Sequence, residues 1–198
     1  MKDSMKLGVV LLAAGKSVRF GSNKLLADYC GRPMVCCVLE ALQLLFADKI
    51  CVVAGDDSVA ALAHEYGCDV ICNHEPQIGQ SHSIHLGVSA MKDMDAALLV
   101  AGDQPRLTGE SLCALVEAFC ASPKGLACLR DETHMGNPAV FSKAYFPQLL
   151  ALSGDRGAKR ILTAYQEDLL VVSCLYQGEL ADADTPQALE SLQIDRDH

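Results

Sequence analysis

The feature that most constrains the fold is a repeated alternation of apolar, strand-like runs with helix-patterned segments. In the first half, strand character is found in "KLGVVLLAA", "KICVVAG", "CDVICN" and "AALLVAGD", and helical spacing in the intervening "RPMVCCVLEALQLLF", "SVAALAHEYG" and "SHSIHLGVSAMK". The strand-like runs are apolar on both faces, which is typical of a parallel sheet covered by helices on both sides. The sequence therefore predicts an α/β, three-layer Rossmann-like fold with a mostly parallel central sheet.

The second half of the chain is less regular. Helices are predicted over "GESLCALVEAFCAS", "GAKRILTAYQ" and "TPQALESLQ", and a strand over "LLVVSCLY". The segments "GLACLRDE" and "NPAVFS" predict two short strands around a turn at Gly136-Asn137-Pro138. Because the 198 residues contain no repeat or linker, we expect a single domain over residues 1–198, with halves of about 5–107 and 108–194.

Composition and charge exclude several classes of protein. The chain is 51% apolar but only 5% aromatic, so its ten cysteines, most of them within apolar runs and none in a C-x-x-C pair, are expected as reduced core residues of a cytoplasmic protein. A net charge of −9 argues against a nucleic-acid-binding surface. No apolar run approaches the roughly 18 residues of a membrane span, so we expect no membrane partner.

Ligands of parallel sheets bind at the carboxyl ends of the strands, where "AAGKSVRFGSNKLL" follows the first predicted strand. A P-loop would need glycine at Val10, and a dinucleotide fingerprint would need more glycines than Gly15 and Gly21, so both motifs fail. The small-residue turn can still surround a phosphate with backbone N–H groups, assisted by the charges of Arg19 and Lys24. A plain turn with solvated basic residues remains the alternative.

Acidic side chains occur at two further places. Asp103 ends an apolar strand in "VAGDQP", where it is either a turn residue or a ligand of Mg²⁺, which favours carboxylates combined with phosphate oxygens. Thr108 is the better candidate to cap the following helix. In "LADADTPQAL", capping by Thr185 or Asp184 explains one acid but not both Asp182 and Asp184.

The motif L-A-A-G-x-S-x-R-F-G-x-x-K-L-L, present at residues 12–26, resembles the signature of the molybdenum cofactor nucleotidyltransferases. These enzymes have the nucleotide-diphospho-sugar transferase fold. The resemblance implies that residues 5–107 bind a nucleotide and that residues 108–194 bind its acceptor. It places the nucleotide on Leu12, Ala13, Ala14, Gly15, Arg19, Lys24, Gly79, Ser81 and Ser83, the last three from a G-x-S-x-S segment beside the base and ribose.

The same resemblance implies the catalytic, metal and acceptor sites. Arg19, Lys24 and Asp103 are the implied catalytic residues. A Mg²⁺ ion is implied at Asp103, in a D-x-P context, together with Asp184, or Asp182 as the alternative. The acceptor is implied to contact a G-x-P segment, in which this chain has Asn at a position where the family often has His, and a G-D-x-G-A segment; the residues are Gly136, Asn137, Pro138, Gly154, Asp155, Gly157 and Ala158.

The implied reaction is a Mg²⁺-dependent transfer of CMP from CTP to the terminal phosphate of molybdopterin, with release of pyrophosphate. In this family L-A-A-G accompanies cytidylyl transfer and L-A-G-G guanylyl transfer, so Ala14 favours CTP. The expected client of the product, molybdopterin cytosine dinucleotide, is a molybdoenzyme of the xanthine dehydrogenase type. GTP, another phosphorylated acceptor, or a non-catalytic molybdopterin chaperone remain the alternatives.

Overall fold

A seven-stranded sheet organises the chain in a computed structural model, which describes residues 5–15, 20–21 and 23–194. Its strands are β1 (Leu7–Ala13), β4 (Lys49–Ala54), β5 (Asp69–Cys72), β6 (Ala96–Ala101), β7 (Leu126–Arg130), β8 (Met135–Ser142) and β9 (Leu169–Ser173), and a small separate hairpin is formed by β2 (Asp28–Tyr29) and β3 (Arg32–Pro33). The strand order is β5-β4-β1-β6-β8-β7-β9. Only β8 runs antiparallel to its neighbours, so the predicted mostly parallel sheet is confirmed.

Helices cover both faces of this sheet. They are α1 (Met34–Leu42), α2 (Asp57–Glu65), α3 (Gln80–Ser89), α4 (Gly109–Ala121), α5 (Phe146–Leu150), α6 (Lys159–Ala164) and α7 (Pro186–Ile194). Along β1, Val9 and Leu11 pack into the core shared with α1, α4 and α7, whereas Val10 packs into the core shared with α3, α5 and α6. This alternation is why the strand needs apolar residues on both faces, each contributing about 1.5–3 kcal/mol on full burial. In the described ranges, no helix has the length and apolarity to cross a membrane.

The cores use cysteine as a small apolar residue. Five of the ten thiols are buried, namely those of Cys36, Cys37, Cys51, Cys68 and Cys128. Burial raises the pKa of both the Cys51 and the Cys128 thiol to about 11, so these groups remain neutral at physiological pH. The prediction that cysteines fill the interior is thus confirmed for these positions.

The predicted caps of two helices are also confirmed. The Thr108 hydroxyl accepts the Ser111 N–H (3.2 Å) at the start of α4. At the start of α7, the Thr185 hydroxyl accepts the Ala188 N–H (3.1 Å). Thr185 therefore performs the capping that could have accounted for Asp184, and the Asp184 carboxylate is available for other contacts.

The turn predicted at Gly136-Asn137-Pro138 is wrong, because these residues lie inside β8. The chain reverses instead between Arg130 and Met135, at residues 131–134. There the Asp131 carboxylate accepts the backbone N–H groups of Thr133 (2.9 Å) and His134 (2.6 Å). Asp, Asn, Gly and Pro all favour turns, so the sequence offers turn signals both at Asp131 and at Gly136-Asn137-Pro138, and only the first of these forms the reversal.

Candidate active site

The turn after β1 and the end of β6 meet at the carboxyl edge of the sheet. Leu12 is paired with Ala101 across the two strands, and the Gly102 N–H donates to the Leu12 carbonyl (3.1 Å). Gly55, which follows the neighbouring strand β4, supports Ala14 from behind, since a Cβ on Gly55 would lie 2.9 Å from the Ala14 Cα. The backbone at residues 12–14 is therefore held in place on both sides, and Asp103 follows directly after Gly102.

Lys24 joins this turn to two acidic segments. Its Nζ lies 2.6 Å from the Asp103 Oδ2 and 2.8 Å from the Asp184 Oδ1. The lysine side chain is only 12% exposed and that of Asp103 21%, whereas Asp184 is about half-exposed. Burial alone would lower the pKa of Lys24, but the attraction of Asp103 and Asp184 outweighs it and holds the pKa above its usual value. The ammonium therefore remains charged throughout the physiological pH range.

The segment that carries Asp182 and Asp184 is attached to the same edge. The Ala183 N–H donates to the Asp103 carbonyl (3.1 Å), and the side chains on either side of Ala183 reach different places. Asp184 contacts Lys24, whereas Asp182 lines a separate cavity near Gln104. Although much of the Asp182 side chain is exposed, partial loss of solvent and repulsion from Asp103 raise its pKa to about 6.

A buried glutamate holds this segment against the body of the protein. The Glu179 carboxyl group accepts four hydrogen bonds, from the Thr108 N–H (3.1 Å), the Thr108 hydroxyl (2.8 Å), the Ser111 hydroxyl (2.7 Å) and the Tyr176 N–H (2.8 Å). Glu179 is only 1% exposed, and these four donors supply the hydrogen bonds that a buried polar side chain requires. Glu179 thereby fixes residues 176–184 to the start of α4.

Two adjoining cavities open at this edge, and we call them the first and the second cavity. The first is about 440 Å³ and is lined by parts of the β1 turn, the 76–83 segment, Lys24 and Asp103. The second is about 320 Å³ and is lined by residues from β8, α6 and the 180–182 segment. Leu12, Gln80, Ala101 and Asp103 line both. A group bound at Asp103 would therefore face occupants of both cavities.

Most residues predicted for the nucleotide line the first cavity, namely Leu12, Ala14, Gly15, Lys24, Gly79 and Ser83, and so does Asp103, the predicted catalytic and metal-binding residue. Ala13 instead lines a smaller cavity of about 190 Å³ behind the turn. Ser81 is buried and outside the cavity lining, and its backbone N–H donates to the Gly154 carbonyl (3.2 Å). The predicted Arg19 lies outside the described residues.

Of the residues predicted for the acceptor, the second cavity is lined by Gly136, Asn137, Gly157 and Ala158. Pro138 is buried and outside the lining of this cavity. Asp155 departs from its predicted side and lines the first cavity. Gly154 packs against Gly79, which has a φ of 108° and whose Cβ would lie 2.5 Å from the Gly154 carbonyl oxygen. The two predicted substrate segments thus touch each other.

Some lining residues were not predicted from the sequence. Gln80 lies between the cavities, and Gln104 places its amide 3.1 Å from that of Asn137 and 3.1 Å from the Leu180 carbonyl. Gln104 offered a signal, because it directly follows the candidate metal ligand at a strand end. His134 and Lys159 add further polar groups to the second cavity.

The carboxylates around Asp103 form a partial donor set for a metal ion. Two carboxylate oxygens, from Asp103 and Asp184, converge on a single cation, the Lys24 ammonium. Across the ranges 5–15, 20–21 and 23–194, no group of three or more His, Cys, Asp or Glu is arranged to hold a metal ion. These residues fit Mg²⁺ only if a substrate supplies further oxygen ligands, which is the usual arrangement for this ion.

A mostly parallel sheet with a small-residue turn, a lysine and carboxylates at its carboxyl edge is an arrangement suited to binding a nucleotide and transferring part of it. The chain belongs to the MobA-like nucleotidyltransferases, because the family model described as the MobA-like NTP transferase domain matches residues 9–169. The protein is accordingly a nucleotidyltransferase, and the neighbours of its structure share the nucleotide-diphospho-sugar transferase fold.

One curated relative and two solved structures are similar to this chain. Purine catabolism protein PucB of Bacillus subtilis (strain 168) is 30% identical over 206 residues, covering 98% of this chain and 98% of that protein. A nucleotidyl transferase from Methanothermobacter thermautotroptrophicus superposes with a TM-score of 0.83 at 21% identity, covering 98% and 99% of the two chains. Molybdopterin-guanine dinucleotide biosynthesis protein A from Archaeoglobus fulgidus gives a TM-score of 0.71 at 18% identity, covering 96% and 98%.

Proposed function

We propose that the protein transfers CMP from CTP to the terminal phosphate of molybdopterin, forming molybdopterin cytosine dinucleotide and pyrophosphate. The observation that carries the proposal is the convergence of Lys24, Asp103 and Asp184 at the place where two cavities adjoin. One cavity would hold the nucleotide and the other the acceptor. Their shared wall at Asp103 would then face the phosphates that react.

A metal ion is the expected partner of Asp103. The carboxylates of Asp103 and Asp184 already converge on the Lys24 ammonium. This convergence on a cation supports the two residues as the protein ligands of Mg²⁺. The Asp182 carboxylate, on the other side of Ala183, is the alternative second ligand. The bound ion would neutralise charge on the phosphates and so favour attack by another anion.

The residues of the chain would act by positioning and by charge. The terminal phosphate of the acceptor is already an anion, so its attack on the α-phosphorus needs no general base. The bond from the α-phosphorus to the bridging oxygen breaks, and pyrophosphate leaves with the electron pair. This leaving group would be bound by the turn that follows β1 and contains Gly15, which we call the Gly15 turn, together with Lys24 and the expected Arg19. These groups would stabilise the charge that grows on the pyrophosphate.

The choice of CTP is supported by the position of Ala14. Ala14 lines the first cavity. Its backbone cannot move away from the cavity because Gly55 is packed directly behind it. A base placed against this wall has less room than it would have with glycine at the same position. This crowding favours a pyrimidine over a purine.

The acceptor is supported by the polar character of the second cavity. Asn137 and Gln104 offer amide donors and acceptors that suit the edge of a pterin, and Lys159 offers a cation that suits its phosphate. A client of the xanthine dehydrogenase type, which oxidises purines, is compatible with the name of the relative PucB, a purine catabolism protein.

A product analysis tests this proposal. The protein is incubated with Mg²⁺, molybdopterin and each of the four NTPs, and products are identified by mass while pyrophosphate is measured. We expect a CMP adduct and pyrophosphate with CTP, loss of both in Asp103→Asn, and retention in Asp93→Asn, which changes an exposed carboxylate away from the site. A GMP adduct would assign the base to GTP instead. Bound molybdopterin without any pyrophosphate would contradict an enzyme and indicate a carrier.

A further inference from the structure

A buried asparagine beside the first cavity belongs to none of the motifs considered above. Asn73 is the residue directly after β5, and 3% of its surface is exposed. Its backbone N–H donates to the Ala54 carbonyl (2.7 Å), which fixes it to the end of β4. Its side chain contacts Ser83 in α3, and Ser83 lines the first cavity.

The hydrogen bonds of Asn73 have a defined direction. The Glu75 backbone N–H, which can only donate, lies 2.9 Å from the Asn73 Oδ1. The amide oxygen of Asn73 is therefore on the Glu75 side, and its NH₂ group faces Ser83. The Asn73 Nδ2 donates to the Ser83 Oγ over 3.0 Å. The amide cannot be reversed without bringing two donors together at Glu75.

This direction determines what Ser83 can offer to a ligand. A hydroxyl group has one hydrogen to donate, and here its oxygen is already accepting from Asn73. In the hydrogen-bond network of residues 23–194, no protein atom accepts the Ser83 hydroxyl hydrogen. Since Ser83 lines the first cavity, the hydrogen is available to an acceptor atom on whatever occupies that cavity.

We infer that Asn73 is a positioning residue that makes the Ser83 hydroxyl a hydrogen-bond donor to the nucleoside part of the bound nucleotide. This inference rests on the proposed function, because it assumes that the first cavity holds a nucleoside triphosphate. The ligand group is an acceptor such as a base carbonyl or an unprotonated ring nitrogen. The nucleoside is favoured over the triphosphate because Ser83 belongs to α3, whereas Lys24 and Gly15, the residues proposed to hold the phosphates, belong to other segments of the lining.

The substitution Asn73→Asp reverses the direction of this hydrogen-bond chain. An ionised aspartate only accepts, so it would take the Ser83 hydroxyl hydrogen and leave Ser83 presenting lone pairs to the nucleoside. Loss of one donor and the unpaired ligand acceptor should raise the Kd for CTP about tenfold or more, measured by calorimetry with Mg²⁺. In turnover, KM for CTP should rise while KM for the acceptor stays constant.

Aspartate also adds a negative charge, and inorganic triphosphate separates this effect from hydrogen bonding. Triphosphate lacks the nucleoside acceptor, so its Kd should change far less than that of CTP. A second control is the Ser83→Ala background, in which Asn73→Asp should weaken CTP binding no further. The matched serine control is Ser89→Ala, on the exposed face of the same helix, which should bind CTP like the unmodified protein.

The variant Asn73→Ala covers the case in which Asn73→Asp does not fold. Alanine removes the amide that donates to the Ser83 hydroxyl, but it adds no acceptor that would take the hydroxyl hydrogen. The expected rise in the Kd for CTP is therefore smaller, roughly threefold. The inference is overturned if both variants bind CTP like the unmodified protein, if triphosphate binding weakens equally, or if the loss persists in Ser83→Ala. Unmodified protein that binds no nucleotide at all would instead overturn the proposed function, and this inference with it.

Discussion

The behaviour of single residues at this edge is governed by one shared cation. The Lys24 ammonium pairs with both Asp103 and Asp184, and it occupies the position that the proposed Mg²⁺ would need. Under the proposed function, Lys24 would therefore have two roles in competition, namely pairing with the carboxylates and binding the leaving phosphates. Binding of a metal nucleotide would exchange one cation for another at the carboxylates and direct the lysine towards the triphosphate.

This exchange gives an unusual prediction for Lys24→Met. Removing the competing ammonium should tighten binding of Mn²⁺ in the absence of nucleotide by about threefold to tenfold, because the two carboxylates lose the cation that contacts both of them. The same variant should bind CTP more weakly. Both affinities are measurable, the first by electron paramagnetic resonance titration of free Mn²⁺.

The control for this experiment is Lys49→Met, which removes a lysine whose Nζ lies 3.4 Å from the Asp69 carboxylate on the edge of β4 and β5. It should leave Mn²⁺ affinity unchanged. If Lys24→Met binds Mn²⁺ no more tightly than the unmodified protein, Lys24 does not compete for the metal position.

Among the structural elements, the contact between Gly79 and Gly154 couples the two halves of the site. Gly79 ends the turn before α3, and Gly154 begins the segment that leads to α6. Gly79 has φ 108° and ψ 180°, a conformation that is essentially restricted to glycine. Because the two backbones touch, a change in one segment displaces the other.

We expect Gly79→Ala to destabilise the protein by about 3 kcal/mol or more, since strain adds to overlap with the Gly154 backbone. Gly67→Ala is the matched control, because Gly67 also has positive φ (71°) but nothing within 4 Å of a Cβ. That control should cost only about 1–2 kcal/mol. The free energies of unfolding come from urea titrations. Equal losses in the two variants would show that the contact with Gly154 contributes nothing.

Elements formed by local sequence were predictable, whereas contacts between distant segments were not. Thr108 and Thr185 were recognised as caps because a cap depends on the next few residues. Asp103 was recognised because the ends of parallel strands share one edge. The Lys24 and Asp184 contact joins positions 160 residues apart, and no local pattern indicates it. Asn73 was not singled out although it ends a predicted strand, since its side chain contacts a partner in a later helix.

The strand order explains how the whole molecule assembles this site. β1 and β6 are neighbours and parallel, so their carboxyl ends bring the Gly15 turn and Asp103 together. β8 runs in the opposite direction, and its pairing of Ala139 with Leu99 places its first residues at the same edge. Gly136 and Asn137 thus reach the second cavity from the start of a strand rather than from its end. A single antiparallel strand therefore brings residues to the second cavity at the edge of a mostly parallel sheet.

The most direct measurement is a crystal structure of the protein with CTP and Mn²⁺, in which anomalous scattering locates the metal. We expect a metal peak at Asp103 in contact with the phosphates, the triphosphate on the Gly15 turn, and the Lys24 Nζ moved from Asp184 onto the phosphates. A bound CTP outside the first cavity, or a triphosphate present with the metal absent from Asp103 and the Lys24 pairing unchanged, would contradict the account.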